Sequence, residues 1–296
     1  MKVLSLFDGI ACGRAALNLA GIGVEKYIAY EIEPSAIKIA KHNWPTIEHH
    51  GDVTKADFRQ FHDIDLVIGG SPCQFWSIAK AGHGREKDTN GQGWKLFQCF
   101  VDAWKLSGAK YFLYENNHSI DQSIKDKISE VLGVQPLEIN SALVSAQNRR
   151  RCYWTNIPNA SIPADKGILL KDVIEDGVVD RPKSLCLTRR YSDCVGSQDY
   201  LARRYFGKSC GQMVFSEDPN MLKNIFKSVK GRKFTADDLK DCQCKLRPLT
   251  PEECEKLQTL PVGYTDGCGL KRNQRIAEIG NGWTVDVIAH LMAGLK

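Results

Sequence analysis

No apolar run in the 296-residue chain approaches the ~20 residues that a membrane-crossing helix needs. The first residues, Met1-Lys2-Val3-Leu4-Ser5-Leu6-Phe7, lack the zones of a secretory signal and run straight into a strand pattern. A cytoplasmic protein with no membrane partner is expected. Paired Cys-x-x-Cys motifs are missing, and the 11 cysteines are scattered and odd in number, which points to reduced thiols. Cys242-Gln243-Cys244 with Cys254 is the nearest approach to a zinc set, and without a second Cys-x-x-Cys pair no metal is expected. Gly-x-Gly-x-x-Gly is also absent, which excludes the common dinucleotide fingerprint. There is no heptad seam, so a monomer is expected rather than an obligate oligomer.

What is present suits an enzyme. With 43% hydrophobic residues, the chain can bury a sizeable core. Leu66 to Ile68 is an apolar run short enough for a strand buried on both faces, stopped by Gly69, Gly70 and Pro72. That pattern places Cys73 at the carboxyl end of a strand, where open α/β sheets hold ligands. A second apolar strand, Tyr111-Phe112-Leu113-Tyr114, ends in Glu115-Asn116. A third segment, Gln147-Asn148-Arg149-Arg150-Arg151, leads into the strand-like Cys152-Tyr153-Trp154-Thr155.

Ahead of these, Val3 to Phe7 reads as a strand, Asp8 to Gly13 as a glycine-bearing turn and Arg14 to Leu19 as a helix. Such a turn lets a ligand lie against the backbone and favours an anionic group at the helix N-terminus. After the strand Tyr27 to Tyr30, Glu31 occupies the place where nucleotide-binding α/β folds hold ribose hydroxyls. Asp52, in Gly51-Asp52-Val53, ends a third strand segment, although a Gly-Asp pair also occurs in plain turns.

With Pro72-Cys73-Gln74, Glu115-Asn116 and Gln147-x-Arg149-x-Arg151 in this order, the chain resembles the DNA cytosine-C5 methyltransferases from Val3 to the C-terminus, apart from a variable region between about 156 and 245. The resemblance implies a class I S-adenosylmethionine-dependent methyltransferase fold, an α/β, Rossmann-like, mostly parallel sheet with a small target-recognition domain. The expected division is a catalytic and cofactor-binding domain at 1–156, a target-recognition domain at 157–245 and a C-terminal segment, 246–296, completing the catalytic domain. By the same resemblance Phe7, Asp8, Gly9 and Gly13 line the cofactor pocket. Glu31 takes the ribose, Asp52 and Val53 address the adenine, and Asn281 and Trp283 help to close the pocket, with Trp283 equally readable as core. Compactness suggests kinship with phage or bacterial stand-alone enzymes, including those of restriction-modification systems.

The implied chemistry follows from the weak nucleophilicity of carbon 5 of cytosine. The Cys73 thiolate adds at C6 to make an enamine, and Glu115 acts as the acid at N3. Asn116 stands beside Glu115, Arg149 contacts the pyrimidine near O2, and Gln147 and Arg151 organise the site. The base must be flipped out of the duplex. Residues 75–94, with Lys80, His83, Gly84, Arg85 and Lys87, are expected to close on DNA, or else to form an ordinary surface loop.

Two departures from the family pattern stand out. Glu115-Asn116-Asn117 replaces Glu-Asn-Val, so Asn117 bonds a backbone group or water, or else meets a polar group on an altered pyrimidine or a modified donor such as carboxy-S-adenosylmethionine. Phe75-Trp76-Ser77 stands where many members have Gly-Phe-Ser. A catalytically silent DNA-binding regulator and an RNA substrate are the competing readings.

The net charge is only +5, yet residues 181–247 carry 15 Lys or Arg against 7 Asp or Glu, leaving the remainder mildly acidic. Tyr191, Tyr200, Tyr205, Phe206, Arg189-Arg190 and Arg203-Arg204 lie in this stretch, which is expected to face double-stranded DNA. Thr250-Pro251-Glu252-Glu253 carries a capping-box pattern, with proline at the first helical position.

Overall fold

A computed structural model describes residues 1–76, 86, 88–229 and 232–296, with the side chain of Cys73 also outside the description. The chain divides into two compact units. The first comprises residues 1–140, 150–164 and 285–296, and the second residues 141–149 and 165–284.

The first unit is built on a seven-stranded sheet. Its strands are β1 (Lys2–Leu6), β2 (Lys26–Tyr30), β3 (Glu48–His49), β4 (Leu66–Gly69), β5 (Tyr111–Asn117), β6 (Leu137–Asn140) and β7 (Arg150–Thr155), in the order β3-β2-β1-β4-β5-β7-β6. The β3-β2-β1-β4-β5 run is parallel, and β7 is antiparallel to both β5 and β6. All four residues of β4 are buried, as the unbroken apolar run predicts for a strand covered on both faces. Connections diverge between β1 and β4, so the loops leaving these two strands flank the switch-point crevice.

Helices α1 (Cys12–Leu19), α2 (Pro34–Asn43), α3 (Gln92–Ser107) and α4 (Gln122–Leu132) follow β1, β2, β4 and β5. The aromatic faces of α3 and β5 interlock through Phe97, Phe100, Phe112 and Tyr114, all essentially solvent-free. β3 is only two residues long and stops at His49. Asp52 therefore lies beyond the strand it was expected to end, where its side chain caps a single 3-10 turn at Val53–Lys55.

The second unit holds α5 (Gln198–Phe206), β8 (Met213–Phe215), α6 (Pro219–Ser228), β9 (Leu246–Pro248), α7 (Pro251–Leu257) and α8 (Arg272–Asn281). α9 (Val285–Met292) belongs to the first unit and packs on α1. The compact units thus differ from the division expected from motif order. Residues 246–284 group with 165–245, and the β6–β7 connection, 141–149, joins them. Side-chain hydrogen bonds explain this grouping. Leu249 N donates to Tyr191 OH at 2.6 Å and Glu175 N to Glu253 Oε1 at 2.8 Å, while Gln147 Nε2 donates to Leu257 O at 3.0 Å.

Candidate active site

The loop after β1 holds three residues with left-handed backbone, Phe7 (φ 57°), Gly9 (φ 58°) and Ala11 (φ 61°). Only Gly9 adopts that conformation without a Cβ penalty; for Phe7 and Ala11 it costs roughly 1–2 kcal/mol each. Contacts around the loop hold the shape. Gly9 N donates to Glu31 Oε2 at 2.8 Å, while Ile32 N and Glu33 N donate to Glu31 Oε1 at 2.7 and 2.8 Å. A carboxylate offers about four acceptor positions, so Glu31 is fixed by backbone and retains capacity for a hydroxyl donor. Next to it Ile32 is 70% exposed, an apolar surface that no motif or periodicity singles out.

Asp8 is buried, and its Oδ1 accepts from Ser5 Oγ at 2.6 Å and Tyr27 OH at 2.7 Å. Its Oδ2 is also buried and has no hydrogen-bond partner. Burial pushes the carboxyl up to about 7, against the lowering effect of Ser5 and Tyr27, with the Glu31 charge adding to the rise. Gly13 is buried in the first turn of α1, and Phe7 is half-buried. Asp52 Oδ1 accepts from Thr54 Oγ1 at 2.8 Å and Thr54 N at 2.9 Å, which holds its carboxyl below the ordinary range. Val53 is buried beside it.

The backbone of Cys73 opens a 3-10 turn, Cys73–Phe75, just past β4. Its thiol lies outside the described residues, as do Lys80, His83, Gly84, Arg85 and Lys87. The approach to this turn is tied to the end of β5. Ser71 Oγ and Tyr114 OH are 2.6 Å apart, and Asn116 Nδ2 donates to Tyr114 OH at 3.1 Å and to Ser71 O and Oγ at 3.3 Å. Burial raises Tyr114 well above the usual phenol range, which keeps its hydroxyl protonated as a donor.

Glu115 is nearly buried and forms an ion pair with Arg151, Nε to Oε1 2.9 Å. Strand register explains the pairing. Arg151 of β7 lies opposite Asn117 of β5, on the same face as Glu115 two residues away. Asn117 is engaged locally, its N–H donating to Asn116 Oδ1 at 2.8 Å and its Oδ1 accepting from Ser119 N at 3.1 Å. Cys152 is buried on the opposite face near Glu138 and His118. These three could meet one ion, but Lys125 Nζ already occupies Glu138 Oε1 at 2.9 Å, and burial pushes the Cys152 thiol up to about 12. Their donor set does not suit a metal.

Arg149 and Gln147 belong to the second unit. The Arg149 guanidinium donates to main-chain carbonyls, from Nη1 to Leu187 O at 2.8 Å and from Nη2 to Gly282 O at 2.9 Å, with Gly280 O at 3.5 Å. Gln147 is solvent-free, and its Oε1 accepts from Leu187 N at 2.6 Å. Both side chains thus brace the interior of their unit. Asn281, exposed, and Trp283, half-buried, lie at the end of α8 and just past it. In the candidate zinc set Cys242 Sγ and Cys244 Sγ face main-chain carbonyls, those of Cys244 and Glu217. Tyr191 and Tyr205, expected on a duplex-facing surface, are instead core. Tyr191 OH donates to Gln212 O, and Tyr205 packs with Phe206 and Phe215. Arg204 is drawn onto Asp193 O, Tyr200 OH and Ser209 O, whereas Arg189 and Arg190 are exposed.

A family model for C-5 cytosine-specific DNA methylases matches residues 1–296. The chain belongs to that family. Among the relatives of the chain, the orphan methyltransferase M.Rho11sI of Bacillus phage rho11s is 34% identical over 219 residues, 69% of the chain and 42% of the relative. The type II methyltransferase M1.ScrFI of Lactococcus lactis subsp. cremoris is 28% identical, covering 97% of the chain and 76% of the relative. The match spans less than half of the phage relatives, at 42% and 43% of their lengths. Solved structures with the same fold include a mutant of Spodoptera frugiperda DNMT2, with TM-score 0.72 and 19% identity over 100% of this chain and 99% of that one. Entamoeba histolytica methyltransferase EhMeth gives TM-score 0.73 and 17% identity over 100% and 97%. The chain therefore has the class I S-adenosylmethionine-dependent methyltransferase fold.

Proposed function

We propose that the chain methylates C5 of cytosine in double-stranded DNA. The observation that carries this reading is the Ser71–Tyr114–Asn116 lattice, which ties the approach to Cys73 to the end of β5, where Glu115 stands. The Cys73 thiolate adds to C6 of a flipped cytosine, and the electron pair displaced into the ring is stabilised by proton donation from Glu115 toward N3. The enamine carbon C5 then takes the methyl group, its proton leaves to a base, and the S–C6 bond breaks to regenerate the thiolate. The ion pair with Glu115 favours Arg151 over Arg149 as the arginine that serves the reacting ring.

S-adenosylmethionine fits the β1 side of the crevice and supplies an electrophilic methyl when bound. Glu31 retains acceptor capacity for ribose hydroxyls, Ile32 offers an apolar face for a purine, and the open backbone of Phe7 to Ala11 admits the amino-acid end. Asp52 and Val53 stand nearby in sequence for the adenine, with Asn281 and Trp283 assigned to the pocket by family pattern. Since the Asn117 carbonyl oxygen is taken up by Ser119 N of its own turn, the unmodified donor is favoured. The target-recognition role falls to 157–245, with exposed Arg189 and Arg190 on the duplex. No helix among the described residues is long and apolar enough to cross a membrane. The phage and bacterial relatives favour a cytoplasmic setting with host or phage DNA as the partner, and the chain is assigned to act as a monomer.

Mass spectrometry of nucleosides from plasmid DNA coexpressed with the wild type and with Cys73→Ala tests the proposal. A Cys73-dependent gain of 5-methylcytosine is expected. A heavier C5 adduct would replace the donor assignment, and the absence of any adduct would sink the DNA-methylating reading in favour of a silent regulator or an RNA substrate.

A further inference from the structure

The Cys73–Phe75 turn is held from both sides. Upstream it is tied to β5 through Ser71. Downstream, Glu86 N donates to Phe75 O at 2.9 Å. The Glu86 carboxylate then reaches the start of α3, where Oε1 accepts from Gln92 N at 2.9 Å and Oε2 from Gly93 N at 2.8 Å. The helix needs this. Its N-cap residue is Gly91, which has no side chain to satisfy the first amides, so a carboxylate from outside the helix does so.

Trp76 completes the arrangement. Its indole is solvent-free and lies so close to Gly93 that a Cβ there would sit 2.7 Å from the ring. A Cβ on Gly91 would sit 2.2 Å from the Glu86 carboxylate carbon. Gly93 is therefore required by the indole that packs on it, tryptophan in place of the family's phenylalanine having its space there, while a side chain at Gly91 would displace the Glu86 carboxylate. Beyond it Phe97 of α3 stacks on Tyr114 at 5.1 Å between ring centroids, and Tyr114 is the residue that holds Ser71. One continuous set of contacts thus runs from Glu86 through α3 and β5 back to the turn that carries Cys73.

We propose that Glu86 is a positioning residue for Cys73, fixing the downstream end of its turn against α3. The proposal rests on Cys73 being the nucleophile. Glu86 has no part in the chemistry itself, and its effect passes through the backbone at Phe75 and the seat of Trp76.

The test compares the full-length wild type with Glu86→Ala, Glu86→Gln, Glu86→Asp and Gly93→Ala. It measures methyl transfer from S-adenosylmethionine to unmethylated duplex DNA of mixed sequence, and the pH profile of Cys73 alkylation by N-ethylmaleimide, read by peptide mass spectrometry. Glu86→Ala should lower kcat by between about 10- and 100-fold, the scale of a small misplacement of a reacting group, while KM for the donor stays within about twofold. Glu86→Gln, with one acceptor oxygen for two amides, should fall between wild type and alanine, and Glu86→Asp should recover part of the loss. Gly93→Ala, acting from the opposite side through Trp76, should reproduce the kcat defect, and the double variant should be no worse than either single one.

A Glu86→Ala protein with lowered melting temperature but unchanged kcat and an unchanged Cys73 alkylation profile would overturn the proposal. So would a rise in KM with kcat intact. Wild type that transfers nothing would refute the proposed function alone. The alkylation profile then decides the position of Cys73 by itself, and superimposable wild-type and Glu86→Ala curves would refute it. Should Glu86→Ala fail to fold, the near-isosteric Glu86→Gln carries the same comparison.

Discussion

Asp8 is the residue whose environment departs furthest from its sequence context. A carboxyl in a glycine-bearing turn reads as a ligand contact, yet here it faces inward, braced by Ser5 and Tyr27. Its folded-state value of about 7 lies above the ordinary 3.8, so the folded protein holds the proton more tightly than the unfolded chain. The associated stability is complete below about 3.8 and is lost as pH rises through about 7. Asp8→Asn, which cannot ionise, should gain stability relative to wild type between pH 5 and pH 8. Thermal melts at the two values check this, and a constant difference would contradict it. Asn117 makes a second case. Sequence alone left it poised between local structure and an unusual donor, because a side-chain amide carries no sign of its partner. With Oδ1 on Ser119 N, Asn117→Val should lower stability by about 1 kcal/mol and leave the mass of the transferred group unchanged. Nucleoside mass spectrometry and urea melts measure the two effects, and a change in product mass would reverse the assignment.

At the level of elements, strands and caps were legible where one local rule decides. The apolar runs became β1, β4 and β5, and Thr250 caps α7 with Glu253 N donating to its Oγ1 at 3.1 Å and Thr250 N donating to Glu253 Oε2 at 2.8 Å. The third strand was misjudged at its end because Asp52 caps a turn through bonds to Thr54 that no periodicity encodes. The two arginines flanking Arg150 were harder still, since identical residue types two apart go to different units. Arg149 serves carbonyls of Leu187 and Gly282, and Arg151 serves Glu115. A lysine at 149 offers one ammonium in place of a planar fork, so Arg149→Lys should lower unfolding free energy by roughly 2 kcal/mol. Arg151→Lys should chiefly lower kcat. Urea melts beside initial-rate measurements separate these outcomes, and a kcat loss at 149 without destabilisation would exchange the two roles.

For the whole molecule, charge asymmetry was visible in composition, but which basic residues reach the surface was not. Arg204 bonds main-chain carbonyls, and Arg203 pairs with Asp199 at 3.2 Å, whereas Arg189 and Arg190 are exposed. If the latter two contact phosphates, DNA affinity should fall with salt, and replacing both with glutamine should reduce the log–log slope by about 1.8. Fluorescence anisotropy across a salt series measures that slope, and an unchanged value would remove them from the interface. The grouping of residues 246–284 with 165–245 also escaped the motif order, because hydrogen bonds such as Glu175 N to Glu253 Oε1 join positions 78 residues apart.

The packing of α9 on α1 sets a timetable for biosynthesis. One partner, Cys12–Leu19, leaves the ribosome well before the other, Val285–Met292, because residues 20–284 are synthesised between them. At roughly 5–20 residues per second, the wait between them is on the order of tens of seconds. During that interval the apolar side of α1 has no native cover from α9, so a nascent chain exposes a chaperone-binding surface. Emergence of α9, rather than emergence of Cys73, then marks the moment at which the first unit can close.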